Sequence, residues 1–146
     1  LCRKATIDYY QILTEKNFTV DIQIPEEDII ISGNEDAIYR ILNNLISNAI
    51  RYGYEGKYIG IKLYTDCDTA FVEIKDKGKG IDKKNVSNVF DRLYTLDDSR
   101  NPNLGGNGLG LAIAKSLAQK QNGSLELLSI PYTETIFTLK LPLLTY

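Results

Sequence analysis

Apolar residues recur along this chain at two periods, and each change of period marks an element. From Leu1 to about Lys16, Ile7, Tyr10 and Leu13 keep helical spacing. No capping residue precedes them, so this stretch reads as the cut end of a longer helix or as a domain's first helix. Phe18 to Ile24 alternates as a strand does and stops at Pro25, and Ile29 to Ile31 predicts a second short strand. Asn34-Glu35-Asp36 then signals a helix start, a capping side chain followed by acids in the first turn. Ser32 with Glu35 offers a competing capping box. This helix runs to about Tyr52, with Gly53 as its stop. Its apolar stripe is Ile38, Ile41, Leu42, Leu45, Ile46 and Ala49, a period near 3.6.

Two strands follow, one through Ile59, Ile61 and Leu63 and one through Ala70, Val72 and Ile74. A long polar stretch bearing glycines occupies Asp76 to Gly108, with a short helix expected near Lys83 to Asn88 and a turn near Phe90 to Tyr94. A helix from about Leu109 to Gln121 closes on Asn122-Gly123. Leu125 to Ile130 and Thr135 to Leu141 predict a closing hairpin. Strands, helix, strands, loop, helix and strands in that order predict an α/β sandwich, an open sheet with helices on one face.

Composition narrows the function classes. The chain has 146 residues, 43% of them hydrophobic and 25% charged, which suits one globular domain. No run approaches the roughly 18 apolar residues of a membrane span, and no leader pattern opens the chain. A net charge of −2 with scattered signs offers no basic face for nucleic acid. Cys2 and Cys67 match no metal-ligand spacing, so a reduced, cytosolic compartment is expected. The chain contains no histidine, which removes imidazole bases, imidazole ligands and any histidine phosphoacceptor within it.

Four blocks carry candidate chemistry. Asn44, Asn48 and Arg51 fall on one side of the long helix, bordering the apolar stripe. Asn48 offers a carbonyl oxygen suited to Mg²⁺, Arg51 a forked cation suited to phosphate, and Tyr52 a flat ring for a base. The plain alternative is a set of surface polar residues. Asp76 shares strand parity with Val72 and Ile74, so its carboxylate points inward and needs a partner such as an exocyclic amine. Gly78 and Gly80 let the following turn pass close to a ligand; the alternative is a glycine-rich surface turn. Gly105 to Gly110 precedes the last helix and can aim backbone N–H groups at an anion. It is neither a P-loop nor a dinucleotide fingerprint. Between the glycine blocks, Phe90, Arg92, Leu93, Tyr94 and Arg100 have the composition of a lid over phosphates or of a solvated loop.

In that order and spacing, the blocks resemble the catalytic domain of bacterial sensor histidine kinases, of the superfamily that includes gyrase and MutL ATPases. Asn44 to Tyr52 is similar to its N box, Asp76 to Ile81 to its first glycine box, Val89 to Tyr94 to its F box, and Gly106 to Leu111 to its second glycine box. The resemblance covers nearly everything from Asn34 to Pro142. It implies a two-layer α/β sandwich, the Bergerat fold, with a mixed five-stranded sheet backed by three helices. Residues 17–146 would then form a single ATP-binding domain. It also implies roles: Asn48 as the Mg²⁺ ligand with Asn44 assisting, Arg51 and Arg92 against phosphate, and Tyr52 lining the adenine site. Asp76 would take the adenine amine, with Gly78, Gly80 and Ile81 shaping that site. Gly106, Gly108, Leu109 and Gly110 would support the phosphates. Thr95 stands where the family's lid often has a second arginine, a role left to Arg100.

The resemblance separates reactions as well. The superfamily's ATPases place a glutamate four residues before the metal-binding Asn; here that residue is Asn44, which cannot activate water. Transfer of the γ-phosphoryl group to a histidine is expected instead, on a dimerization domain outside this chain, with relay to a response regulator's receiver domain. The parent protein is expected to be a homodimer anchored in the bacterial cell membrane, with this part cytoplasmic and by itself a monomer. An ATP hydrolase and a nucleotide-binding regulatory module are the alternatives.

Overall fold

A computed structural model describes residues 1–91 and 110–144. Among them, α1 (Cys2–Glu15), β1 (Thr19–Gln23), α2 (Glu35–Tyr52), β2 (Tyr58–Asp66), β3 (Thr69–Asp76), α3 (Lys83–Val86), α4 (Gly110–Lys120), β4 (Ser124–Ile130) and β5 (Glu134–Pro142) follow in order. The strands form one mixed sheet in the order β1-β2-β3-β5-β4. β1 runs parallel to β2, joined through the α2 crossover, and the remaining pairs are antiparallel. The expected five-stranded sandwich, with α1, α2 and α4 as its long helices, is the fold observed.

α2 is the element on which the rest packs. Asn34 takes extended backbone and its side chain accepts the Ala37 N–H at 2.9 Å, so Asn34 and not Ser32 caps the helix. Glu35 and Asp36 sit at the positive end of the helix dipole and Arg51 at the negative end. The stripe Ile38, Ile41, Leu42, Leu45, Ile46, Ala49 and Ile50 is buried against the sheet and the flanking helices. α4 is tied to the start of α2 by the Asn34 N–H, which donates to Gln121 Oε1 at 2.7 Å. It ends where Asn122 turns left-handed, at φ 61°, and the Gly123 N–H closes onto the Ala118 carbonyl.

α1 packs by a face its apolar spacing does not mark, and two expectations change. α1 buries Ala5, Thr6 and Leu13, whereas Ile7 and Tyr10 are 71% and 56% exposed. The small residues give α1 its close approach to α2, and the bulky pair is left over edge strand β1. There it lines an apolar groove with Ile22 and Ile24. Residues 29–31 form no strand. Ile31 makes one isolated bridge to Leu143, and the Ile30 carbonyl accepts the Leu144 N–H, so this stretch clips the chain's last described residues. The short helix after Asp82 ends at Val86, and turns closed by Asn88 N–H to Asn85 O and Asp91 N–H to Asn88 O continue it. The turn expected beyond Asp91 lies outside the described residues.

Leu45 is fully buried at the middle of α2. Leu45→Ala should lower unfolding free energy by about 2–5 kcal/mol, read as a fall in the urea midpoint with little change in slope.

Candidate functional site

β3 alternates strictly, with Ala70, Val72, Ile74 and Asp76 buried on the helix side. The inward parity that buries three apolar residues therefore also buries a carboxylate, 5% exposed. Its side chain has one hydrogen bond among the described residues, from the Gly78 N–H to Oδ1 at 3.0 Å. Burial pushes the Asp76 carboxyl up to about 6, against a smaller opposing pull from that N–H.

The turn after Asp76 presses on the end of α2. A Cβ at Gly78 would collide with the Tyr52 carbonyl oxygen and the Gly53 Cα, so a side chain there would push strand end and helix end apart. Gly80 has φ 79°, a conformation open to glycine, and lies against Pro131 of the β4–β5 turn. Ile81 then turns back inward and is buried.

These constraints bring Asn48, Tyr52, Asp76, Gly80 and Ile81 to one cleft, together with Lys79, Leu111, Thr135 and Phe137. α2 supplies one wall, the β3 end and its turn the floor, and α4 and β5 the rest. Thr135, 3% exposed, stands opposite Asp76 in the β3–β5 register. The enclosed space is about 20 Å³, room for roughly one water molecule, so a nucleobase enters only if the walls part.

A family model described as histidine kinase-, DNA gyrase B- and HSP90-like ATPase matches residues 33–145. The chain belongs to that family. It is 42% identical, over its full length, to sensor histidine kinase YcbM of Bacillus subtilis (strain 168), and spans 47% of that protein. Against sensor histidine kinase WalK of the same organism it is 37% identical over 93% of its length, and spans 23% of that protein. In fold it is similar to the catalytic domain of histidine kinase ThkA in a nucleotide-free form, with a TM-score of 0.82 at 19% identity. That match covers 97% of this chain and 90% of the other. Within the family its kinship is with the ATP-binding catalytic domains of sensor histidine kinases.

Not every residue singled out in the sequence of this kinase-type domain reaches the cleft. The Asn44 side-chain amide donates to the Gly110 carbonyl at 3.2 Å, tying α2 to the first residue of α4. Arg51 lies at the border. Its guanidinium is 5.8 Å from the Tyr52 ring centroid, yet it lines a separate groove of about 400 Å³ with Tyr9, Ile12, Lys16, Ser47, Ile50 and Tyr54. Gly78 shapes the turn from behind the cleft. Arg92, Thr95, Arg100, Gly106, Gly108 and Leu109 lie outside the described residues. Thr135, Phe137, Leu111 and Lys79 went unremarked in the sequence. The parity argument that finds Asp76 also finds Thr135, a polar residue in phase with buried Phe137, Leu139 and Leu141.

Because the folded chain holds the Asp76 proton more tightly than the unfolded chain, stability falls as pH rises from about 4 through about 6 and stays lowered above it. Asp76→Asn should flatten this decline and stabilise the nucleotide-free chain at neutral pH by up to about 3 kcal/mol. Urea midpoints of both proteins across that range check it; parallel pH profiles would contradict it.

Proposed function

We propose that this chain binds Mg-ATP in the Asp76 cleft and donates its γ-phosphoryl group to a histidine on a dimerization domain outside these residues, for relay to a response regulator aspartate. The observation that carries the reading is the buried Asp76 carboxylate, facing the same cleft as Asn48 and the Tyr52 ring. An inward carboxylate with one protein donor is a recognition point for an amine-bearing flat ligand. Adenine presents such an amine, Tyr52, Leu111 and Phe137 offer apolar walls for its faces, and Ile81 closes the floor.

Asn48 lines the same cleft one helical turn before Tyr52. No cluster of three or more acidic, cysteine or histidine ligands exists among the described residues. Amide oxygens from Asn48 and Asn44 suit Mg²⁺ only when phosphate oxygens and waters complete its shell, so the metal fits as a partner of the nucleotide. Bound there, Mg²⁺ would neutralise charge on the transferring phosphoryl group. Asn48 orients the phosphate end of the ligand, and Arg51, at the border of the cleft, offers a cation toward it. We extend the same reading to Arg92, Gly106, Gly108, Leu109 and Gly110 as phosphate-side contacts.

The chain's own groups hold and orient ATP but do not activate water. Asn44 is an amide engaged with Gly110, and no histidine is present. Positioning therefore serves an acceptor brought from elsewhere. No helix among the described residues is long and apolar enough to cross a membrane. We place the chain as the cytoplasmic part of a membrane-anchored homodimeric parent, residues 17–146 being the nucleotide-binding unit and α1 its link to the acceptor domain.

Mg-ATP at millimolar concentration should raise the melting temperature of the chain by mass action. Asp76→Asn should weaken ATP about tenfold or more, whereas Asn48→Asp should chiefly change the Mg²⁺ dependence. Unchanged melting of the parent chain with Mg-ATP would overturn the reading.

Incubated with γ-labelled ATP, the chain alone should acquire no acid-labile label and release phosphate slowly, while an added dimerization domain should be labelled. Label on the chain alone would contradict the acceptor assignment. An unlabelled, folded dimerization domain at high concentration of both would favour a regulatory module.

A further inference from the structure

The turn between β4 and β5 is fastened to the cleft wall by contacts that nucleotide binding alone does not explain. The Tyr132 N–H donates to the Lys79 carbonyl at 2.9 Å, and the Ile81 N–H donates to Ser129 Oγ at 2.9 Å. Ser129 Oγ and Thr135 Oγ1 share a hydrogen bond of 2.8 Å. Thr135 is buried, lines the cleft and pairs in register with Asp76. Ser129 itself does not line the cleft.

Either hydroxyl can donate in the Ser129–Thr135 bond, and each order leaves one hydrogen over. A hydroxyl carries one hydrogen and two lone pairs. Ser129 Oγ already accepts the Ile81 N–H. If Ser129 donates to Thr135, its hydrogen is used and the Thr135 hydrogen is free to point away. The reverse order would place two donors on Ser129 Oγ and leave the Ser129 hydrogen without a partner among the described residues. The first order leaves the Thr135 hydrogen over instead, and since Thr135 lines the cleft and Ser129 does not, only that order puts a spare donor in the cleft.

We propose that Ser129 is a positioning residue of the cleft, which by donating to Thr135 turns the Thr135 hydroxyl into a hydrogen-bond donor facing the cleft beside the Asp76 acceptor. An acceptor next to a donor matches a ligand edge with an amine beside a ring nitrogen lone pair, the edge adenine presents. A guanine edge presents the opposite order at those two places. The inference rests on the nucleotide reading above. It adds that base recognition is set two bonds away, from a strand that contributes no cleft-lining residue among those described.

The test is a double-mutant cycle on the 146-residue chain, with Mg-ADP affinity measured by calorimetry. Ser129→Ala should weaken Mg-ADP about tenfold in the parent background. The loss should be clearly smaller in a Thr135→Val background, where no hydroxyl remains to be oriented, and Ser129→Thr should stay close to the parent. A merely structural Ser129 would give the same loss in both backgrounds, and that result overturns the proposal, as does unchanged affinity in Ser129→Ala. Should Ser129→Ala fail to fold, Ser129→Cys, a weaker donor, takes its place in the same cycle. Failure of the parent to bind Mg-ADP would overturn the nucleotide reading and this inference together. A binding parent with an additive cycle overturns the inference alone.

Discussion

A carboxylate stripped of water is tolerated only where donors stand in for the solvent, and the cleft is organised around that need at Asp76. The Gly78 N–H supplies one donor, and the raised proton affinity of the group shows that one is too few. The same burial requires the end of α2 to lie against the strand end, which is why Gly78 has no room for a side chain. Among the described residues Asp76 thus keeps the Gly78 N–H as its one hydrogen-bond donor. Stability is given up at neutral pH, and on the proposed reading a ligand amine would restore it.

The second constraint is the narrowness of the cleft. Its walls come from α2, the β3 turn, α4 and β5, and the space between them holds about one water. β3 and β5 are joined by a strand ladder, and α2 and α4 pack with them around one apolar core. The first turn of α4 brings Leu111 to the cleft and is linked to α2 near the site by the Asn44 to Gly110 bond. Asn44 therefore ties the start of α4 to α2 beside the cleft.

On the proposed reading, phosphoryl transfer divides its labour between binding and acceptor, and this chain carries the binding half. It spans about half of YcbM and less of WalK. Exposed Ile7 and Tyr10, beside Ile22 and Ile24, leave an apolar face at the β1 edge that the described residues do not cover.

Elements with a single dominant period were legible from the residues. The α2 stripe, its Asn34 cap, the alternating β3 and the closing hairpin all follow from local rules, because side chains three or four apart on a helix, or two apart on a strand, must share a face. Asp76 was legible for the same reason, its parity being that of Val72 and Ile74. The α1 helix was legible from Ile7, Tyr10 and Leu13, but the face that packs is chosen by where α2 lies. Small Ala5 and Thr6 win there by permitting close approach. Arg51 shares a helix side with Asn48 but sits at a border that only the placement of α1 draws. The link from Ser129 through Thr135 to the cleft joins residues whose roles depend on strand register and on the docking of a turn from β3. Sequence by itself determined where most helices and strands lie and, in α2, β3 and β5, which residues face inward. Tertiary structure decided which inward faces meet, because that depends on distances between segments far apart in the chain, which no local period encodes.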